Sequence, residues 1–329
     1  MRLAIFAVSL PRGARTMLHP RYRINNANVM IPILVTGPGR SGTTLLMGVL
    51  ASLPQVSVAE LIPYEVKLLA YYATAYRTLT APADHPRSMH PDRLRRDEVS
   101  VGFNPFNNSI FNSVFNERGI VDDFFENFVP EKIRRAFADI IVEYYSRLAK
   151  DQGKVAPRYF AEKSNDIAPW PRTFARAAFP SIKEVVLFRD PRDLYCSRKA
   201  FFRYDTVRAM AEVTHTCRTL ADILDHGGTD LLAVSYESLI LQPAQSLGML
   251  SIFLDIPVRM LDPDAQRGLF TGHGTSGTPR ASIGRWKVDM TKQEKSAAQE
   301  AWQEFLVRFG YDQEDGPSPE TEPSDRKGK

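Results

Sequence analysis

The sequence predicts an α/β fold: a parallel sheet with helices on both faces, in a three-layer α/β/α arrangement and a single domain. Five short strand-like runs, at 31–36, 56–60, 158–162, 184–188 and 231–235, are separated by stretches that read as helices. That alternation builds parallel sheets. The first run passes directly into Gly37-Pro38-Gly39-Arg40-Ser41-Gly42-Thr43-Thr44 and then into the apolar stretch Leu45–Leu53. A strand, a glycine turn and a helix in that order aim backbone amides and the positive helix end at one anion. With 329 residues, 43% of them hydrophobic, the chain has enough material for one large core.

The elements follow in order. The second run ends at Glu60, and a helix is expected over 63–78, before the linker Ala81–Pro86. Pro130 opens a long amphipathic helix through Lys150, with Ile133, Phe137, Ile140, Ile141, Tyr144 and Leu148 on one stripe. The third run leads into Glu162-Lys163-Ser164-Asn165 and a helix carrying Trp170, Phe174 and Phe179. The fourth ends in Arg189-Asp190-Pro191-Arg192-Asp193, where Pro191 starts a helix and Ser197 falls two turns along it. Asp205 caps a helix that runs to Asp225 and stops at Gly227-Gly228. The fifth run ends in Tyr236-Glu237, ahead of a helix with Leu247, Leu250, Phe253 and Leu254. A glycine-rich connection over 257–283 is long enough to read as a lid, and Thr291 with Glu294 makes a capping box for a last helix ending at Gly310.

The glycine loop admits three readings. Gly37-x-Gly39-x-x-Gly42 matches the dinucleotide fingerprint, with Glu60 near the distance of a ribose-gripping acid. Gly37-x-x-x-x-Gly42 followed by Thr43-Thr44 matches a Walker A loop whose lysine is replaced by Thr43. The third reading places the cation earlier, at Arg40, before Ser41-Gly42-Thr43-Thr44. A second signature bears on the choice: Arg189 at a strand end and Ser197 on the following helix bring a guanidinium and a hydroxyl toward one anion, a clamp suited to a monoester phosphate.

The loop together with Arg189-x-Pro191-x-Asp193-x-x-x-Ser197 resembles the nucleotide motifs of sulfotransferases, which use 3′-phosphoadenosine 5′-phosphosulfate (PAPS). The resemblance implies a P-loop-like sheet in which Gly39, Arg40, Ser41, Gly42, Thr43 and Thr44 hold the 5′-phosphosulfate. It implies that Arg189 and Ser197 grip the 3′-phosphate, that Tyr236 borders the adenine, and that Arg280, ahead of Gly284-x-Trp286-Lys287, also meets the 3′-phosphate. Lys163 is the candidate for the bridging oxygen. One branch of the family has a catalytic histidine where this chain has Asn165, so the base is expected to be a glutamate: Glu60, on the firmer mount at a strand end, with Glu65 as the alternative.

The activity so implied is in-line sulfuryl transfer from PAPS to a hydroxyl or amine of a small molecule or saccharide, leaving 3′-phosphoadenosine 5′-phosphate (PAP) and requiring no metal. An insert over about 61–130 is expected to roof the acceptor site, with Phe103, Phe106, Phe111 and Phe115 as contacts, and the lid extends over about 257–287. The rival readings are a P-loop nucleotide kinase or NTPase, which would need the missing lysine and a magnesium-binding acid, and a nucleotide-binding protein without catalysis.

Composition narrows the context. A net charge of +4 does not suggest nucleic acid, and no apolar run approaches the length of a membrane span. Two cysteines, Cys196 and Cys217, cannot build a disulfide scaffold and read as core thiols in a reducing, cytoplasmic setting. Residues 1–29 hold five arginines and no acid and read as a disordered basic extension, 30–312 as the domain, and 313–329 as a disordered tail. His85 and His90 read as parts of a solvated loop. A homodimer is compatible with all of this.

Overall fold

The computed structural model describes residues 30–80, 127–154, 157–164, 169–261, 268 and 274–312. Five parallel strands, β1 (Ile31–Thr36), β2 (Val56–Val58), β3 (Tyr159–Ser164), β4 (Lys183–Phe188) and β5 (Leu231–Ser235), form one sheet in the order β2-β3-β1-β4-β5. The chain starts in the middle, builds one side through β2 and β3, and then crosses to build the other. The strand ends flanking β1 therefore belong to opposite halves of the chain, which is the topological switch point where α/β sheets bind ligands. Register puts Lys163 of β3 beside Val35 of β1, and Ser235 of β5 beside Phe188 of β4.

Side-chain alternation along the strands explains both covering layers. Ile33 and Val35 of β1, with Val185 and Leu187 of β4, pack toward α1 (Thr43–Ala51) and α8 (Pro243–Leu254), which contributes Leu247, Leu250 and Leu254. On the opposite face Leu34 and Phe160 meet α2 (Leu68–Thr80), α3 (Val129–Asp151) and α4 (Pro169–Ala178), while Val186 meets α5 (Pro191–Phe202), α6 (Thr206–Asp225) and α10 (Lys292–Arg308). Two short helices, α7 (Tyr236–Leu241) and α9 (Trp286–Asp289), complete the fold. Trp302, Tyr145 and Phe160 are among the bulkiest buried side chains, each at most 1% exposed. No helix among the described residues is long and apolar enough to cross a membrane.

Local chemistry sets the element boundaries as expected at several points. Asp190 caps α5, accepting from the Arg192 amide at 2.8 Å, and Asp205 caps α6 through the Arg208 amide at 2.7 Å. Thr291 and Glu294 form the capping box of α10. Elsewhere the boundaries move. β2 ends at Val58, so Glu60 lies beyond the strand, and β3 continues to Ser164, so Lys163 lies within one. The helix expected from residue 63 begins at Leu68, because Tyr64 (φ 67°) and Lys67 (φ 52°) take left-handed backbone that a helix cannot contain.

The expected extension at 1–29, the tail at 313–329, Phe103, Phe106, Phe111, Phe115, His85, His90 and Asn165 lie outside the described residues, as does most of 262–273 within the expected lid.

Candidate active site

The carboxyl ends of β3, β1, β4 and β5 place Lys163, the glycine loop, Arg189 and Tyr236 side by side. The loop is locked into shape from both ends. The Gly37 amide donates to the Ser164 carbonyl at 3.2 Å, and Ser41 donates to the Pro38 carbonyl with its amide at 3.1 Å and its hydroxyl at 2.7 Å. Gly42, the residue before α1, has φ 91°, and a Cβ there would sit 2.5 Å from the Tyr236 ring. Both conditions admit only glycine. No side chain caps α1, which leaves its first amides as donors facing the site.

On the β4 side lies a narrow cleft of about 80 Å³ lined by Arg40, Thr43, Thr44, Arg189, Ser197, Tyr236 and Ser282, among others. Arg189 is 4% exposed and stacks over the Tyr236 ring at 4.5 Å. It donates to the Arg40 carbonyl at 3.1 Å and to the Ser282 carbonyl, yet its buried Nε has no hydrogen-bond partner among the described residues. A buried guanidinium donor without an acceptor is a position waiting for an anion. Arg40 donates to Ser197 Oγ at 3.3 Å and lies over the Phe201 ring at 4.3 Å. Burial, together with the neighbouring charges of Arg189 and Arg285, pulls the Arg40 pKa down to about 10. Three guanidinium groups crowd a space that an anionic ligand would relieve.

Two buried carboxyls support this side. Glu237 accepts from the Asp190 amide at 3.1 Å and from the Tyr311 hydroxyl at 2.6 Å, tying the residue after Arg189 to the end of the domain. Burial raises its pKa to about 7. Asp193 accepts from the Gly284 amide at 2.6 Å and the Trp286 amide at 3.0 Å, fastening the segment after Ser282 to α5. Burial lifts its pKa to about 6.

On the β3 side a second cavity, of about 440 Å³, is lined by Arg40, Thr43, Thr44, Pro63, Glu65, Lys67, Lys163 and Arg198, with the aromatic end of α5. The two cavities differ in size, and the second falls in the range of small-molecule sites. They share Arg40, Thr43 and Thr44. The Lys163 side chain, 2% exposed, pairs with Glu65 at 3.1 Å and donates to the Pro63 carbonyl at 2.6 Å and to Thr44 Oγ1 at 3.3 Å. Burial lowers its pKa, and Glu65 opposes the shift.

Most of the expected site residues are therefore brought together, and two are placed elsewhere. Glu60 is exposed, accepts from Gln152 at 3.3 Å and lines neither cavity, because β2 stops short of it. Glu65 is the glutamate at the cavity, carried there by the left-handed turns at Tyr64 and Lys67. Arg280 is exposed and starts a short 3-10 turn, whereas Arg285 reaches inward, donating to Thr275 Oγ1 at 2.9 Å beside Ser197. Arg285 stood in the quoted Gly284-x-Trp286 stretch, but no local signal separates it from Arg280.

Comparison with known proteins places the chain in a family. The model of a family described as the sulfotransferase family matches residues 32–260. Among solved structures, the sulfotransferase domain of the Synechococcus PCC 7002 olefin synthase is similar at 19% identity and TM-score 0.51, covering 88% of this chain and 98% of that one. A Mycobacterium avium sulfotransferase aligns at 16% identity and TM-score 0.42, covering 86% and 78% of the two chains. A mouse sulfotransferase solved with PAP aligns at 13% and 0.43, covering 85% and 86%. None of the curated proteins matches the sequence.

Proposed function

This chain belongs to the sulfotransferase family, and from that premise we propose that it moves a sulfuryl group from PAPS to a hydroxyl or amine of a small molecule or saccharide, with a glutamate as base. The observation that carries the donor assignment is the unpartnered Nε of buried Arg189, in one cleft with Ser197 and the uncapped start of α1. The cradle at Gly42, where a Cβ has no room, fits the same ligand.

Arg189 and Ser197 would hold the 3′-phosphate, Tyr236 the base, and Arg40 with the amides of Thr43 and Thr44 the 5′-phosphosulfate. The donor supplies the sulfuryl group: its bond from sulfur to the bridging oxygen breaks as the acceptor oxygen's bond to sulfur forms. Glu65 accepts the acceptor's proton, standing 3.1 Å from Lys163 at the cavity shared with the loop. Lys163 meets the negative charge that gathers on the bridging oxygen, and the α1 amides meet that on the equatorial oxygens. These donors are in place beforehand, so little reorganisation is needed as charge develops.

Calorimetry tests the donor assignment. PAP should bind the wild type at least about tenfold more tightly than AMP, which lacks the 3′-phosphate, and Arg189→Ala should erase that difference. Equal affinities in the wild type would remove the 3′-phosphate from the site. Incubation with PAPS and a cell extract, followed by mass spectrometry for new sulfated species, tests the reaction itself.

A further inference from the structure

Helix α5 divides the two cavities: Ser197 lines the donor cleft and its neighbour Arg198 lines the cavity beside Lys163. Arg198 is 9% exposed, and every acceptor it meets is neutral: the Gly39 carbonyl at 3.4 Å, the Glu212 carbonyl at 3.4 Å and Thr216 Oγ1 at 3.0 Å. Those bonds use Nε and Nη1. Among the described residues Nη2 makes no hydrogen bond and the guanidinium makes no ion pair. Burial lowers its pKa, opposed by the charge of Glu212 at longer range. A desolvated cation lining a cavity without a counter-ion is costly unless something anionic joins it.

The rest of the wall narrows the anion and the body that bears it. Arg40 serves the donor loop and Lys163 is paired with Glu65, whereas Arg198 is met by neutral acceptors. Phe201 and Phe202, 42% and 44% exposed, continue α5 from Arg198. Their rings lie 5.0 Å apart, with Tyr204 stacked on Phe202 at 5.2 Å. The Phe201 and Phe202 rings stand perpendicular, at 88°, and exposed aromatics so arranged give the cavity an apolar corner for an aromatic group.

We propose that this cavity takes an acceptor with an aromatic body and one carboxylate, the body packed against the Phe201 and Phe202 corner and the carboxylate on Arg198. The acceptor role rests on the sulfuryl-transfer reading; the carboxylate subsite can be measured without it.

The probes are para-hydroxybenzoic, para-hydroxyphenylacetic and para-hydroxyphenylpropanoic acids, each against its primary amide, titrated by ligand-observed NMR into the full chain with PAP present. At least one acid should bind about tenfold more tightly than its amide, the size of a charge-assisted contact. Arg198→Met should remove that preference and Arg198→Lys should keep most of it. Phe202→Ala should weaken acid and amide alike. Absence of any acid preference in the wild type, or its survival in Arg198→Met, would overturn the proposal. Should Arg198→Met not fold, Arg198→Gln gives the same readout. An acid preference in a protein that neither binds PAP nor releases sulfated product overturns the reaction and keeps the subsite. Sulfation of neutral acceptors without an acid preference overturns the subsite alone.

Discussion

The two cavities are separated by one helix and share three residues, yet they are built by different means. The cleft on the β4 side is made of strand ends and a glycine loop whose groups are buried and fixed by one another, Arg189 against Tyr236 and Ser197 against Arg40. The cavity on the β3 side is made of turns and a helix end, with Glu65, Phe201 and Phe202 open to solvent. A site held by backbone geometry can take few ligands, whereas one walled by exposed side chains can change its preference with little cost to the fold. Fixed donor and variable acceptor follow from that contrast.

The largest effect expected is on the open side. Glu65→Gln should lower kcat by about a hundredfold or more, the usual worth of a general base, while leaving PAP affinity within about threefold. Steady-state kinetics beside Glu60→Gln checks it; a kcat collapse in Glu60→Gln instead would return the base to the end of β2 and break the contrast. On the fixed side, Gly42→Ala should weaken PAP binding by roughly 30- to 100-fold, because a Cβ meets the Tyr236 ring at 2.5 Å and the backbone is left-handed. Gly39→Ala, where a Cβ meets nothing within 4 Å, should cost less than about threefold in the same calorimetric titration.

A smaller effect sharpens a symmetry between the halves, since each has a buried glutamate beneath its cation. Glu162, which precedes Lys163, accepts from the Leu69 amide at the start of α2 and from the Tyr145 hydroxyl, as Glu237 does under Arg189. Burial raises both to about 7 from an ordinary 4.5. Between those values the folded state keeps protons that the unfolded chain has released, so stability falls as pH rises through that window. Glu294, whose pKa is held down chiefly by Lys199 and Tyr195 against its burial, contributes stability already complete above 4.5. Tm should therefore decline from pH 5 to pH 7 and level off above it, and Glu162→Gln should flatten the slope. A Tm that rises over this range would deny both carboxyls their role. Last, Thr291→Ala removes half of the α10 capping box and should cost about 1 kcal/mol, a few degrees in Tm, with PAP affinity unchanged.

What could be read from the sequence follows the same division. Asp190, Asp205 and Thr291 cap their helices through contacts within three residues, so their chemistry is local. The glycine loop and the Arg189 to Ser197 motif are compact for the same reason. Glu65 was the lesser choice because its place depends on left-handed turns at Tyr64 and Lys67, residues that carry no turn signal, and on a lysine about a hundred residues away. Arg198 and Arg285 acquire meaning only through partners brought from other elements, Thr216 and Thr275.

The adjacency of Ser197 and Arg198 on α5 has a practical side. Consecutive helical residues project about 100° apart, so neighbours on one turn serve two different compartments. A library confined to Arg198, Phe201, Phe202 and Tyr204 would randomise one wall of the proposed acceptor cavity and leave the proposed nucleotide clamp, Arg189 through Ser197, untouched. On the proposed reading, re-targeting would rewrite the last turn of α5 and the residues just after it.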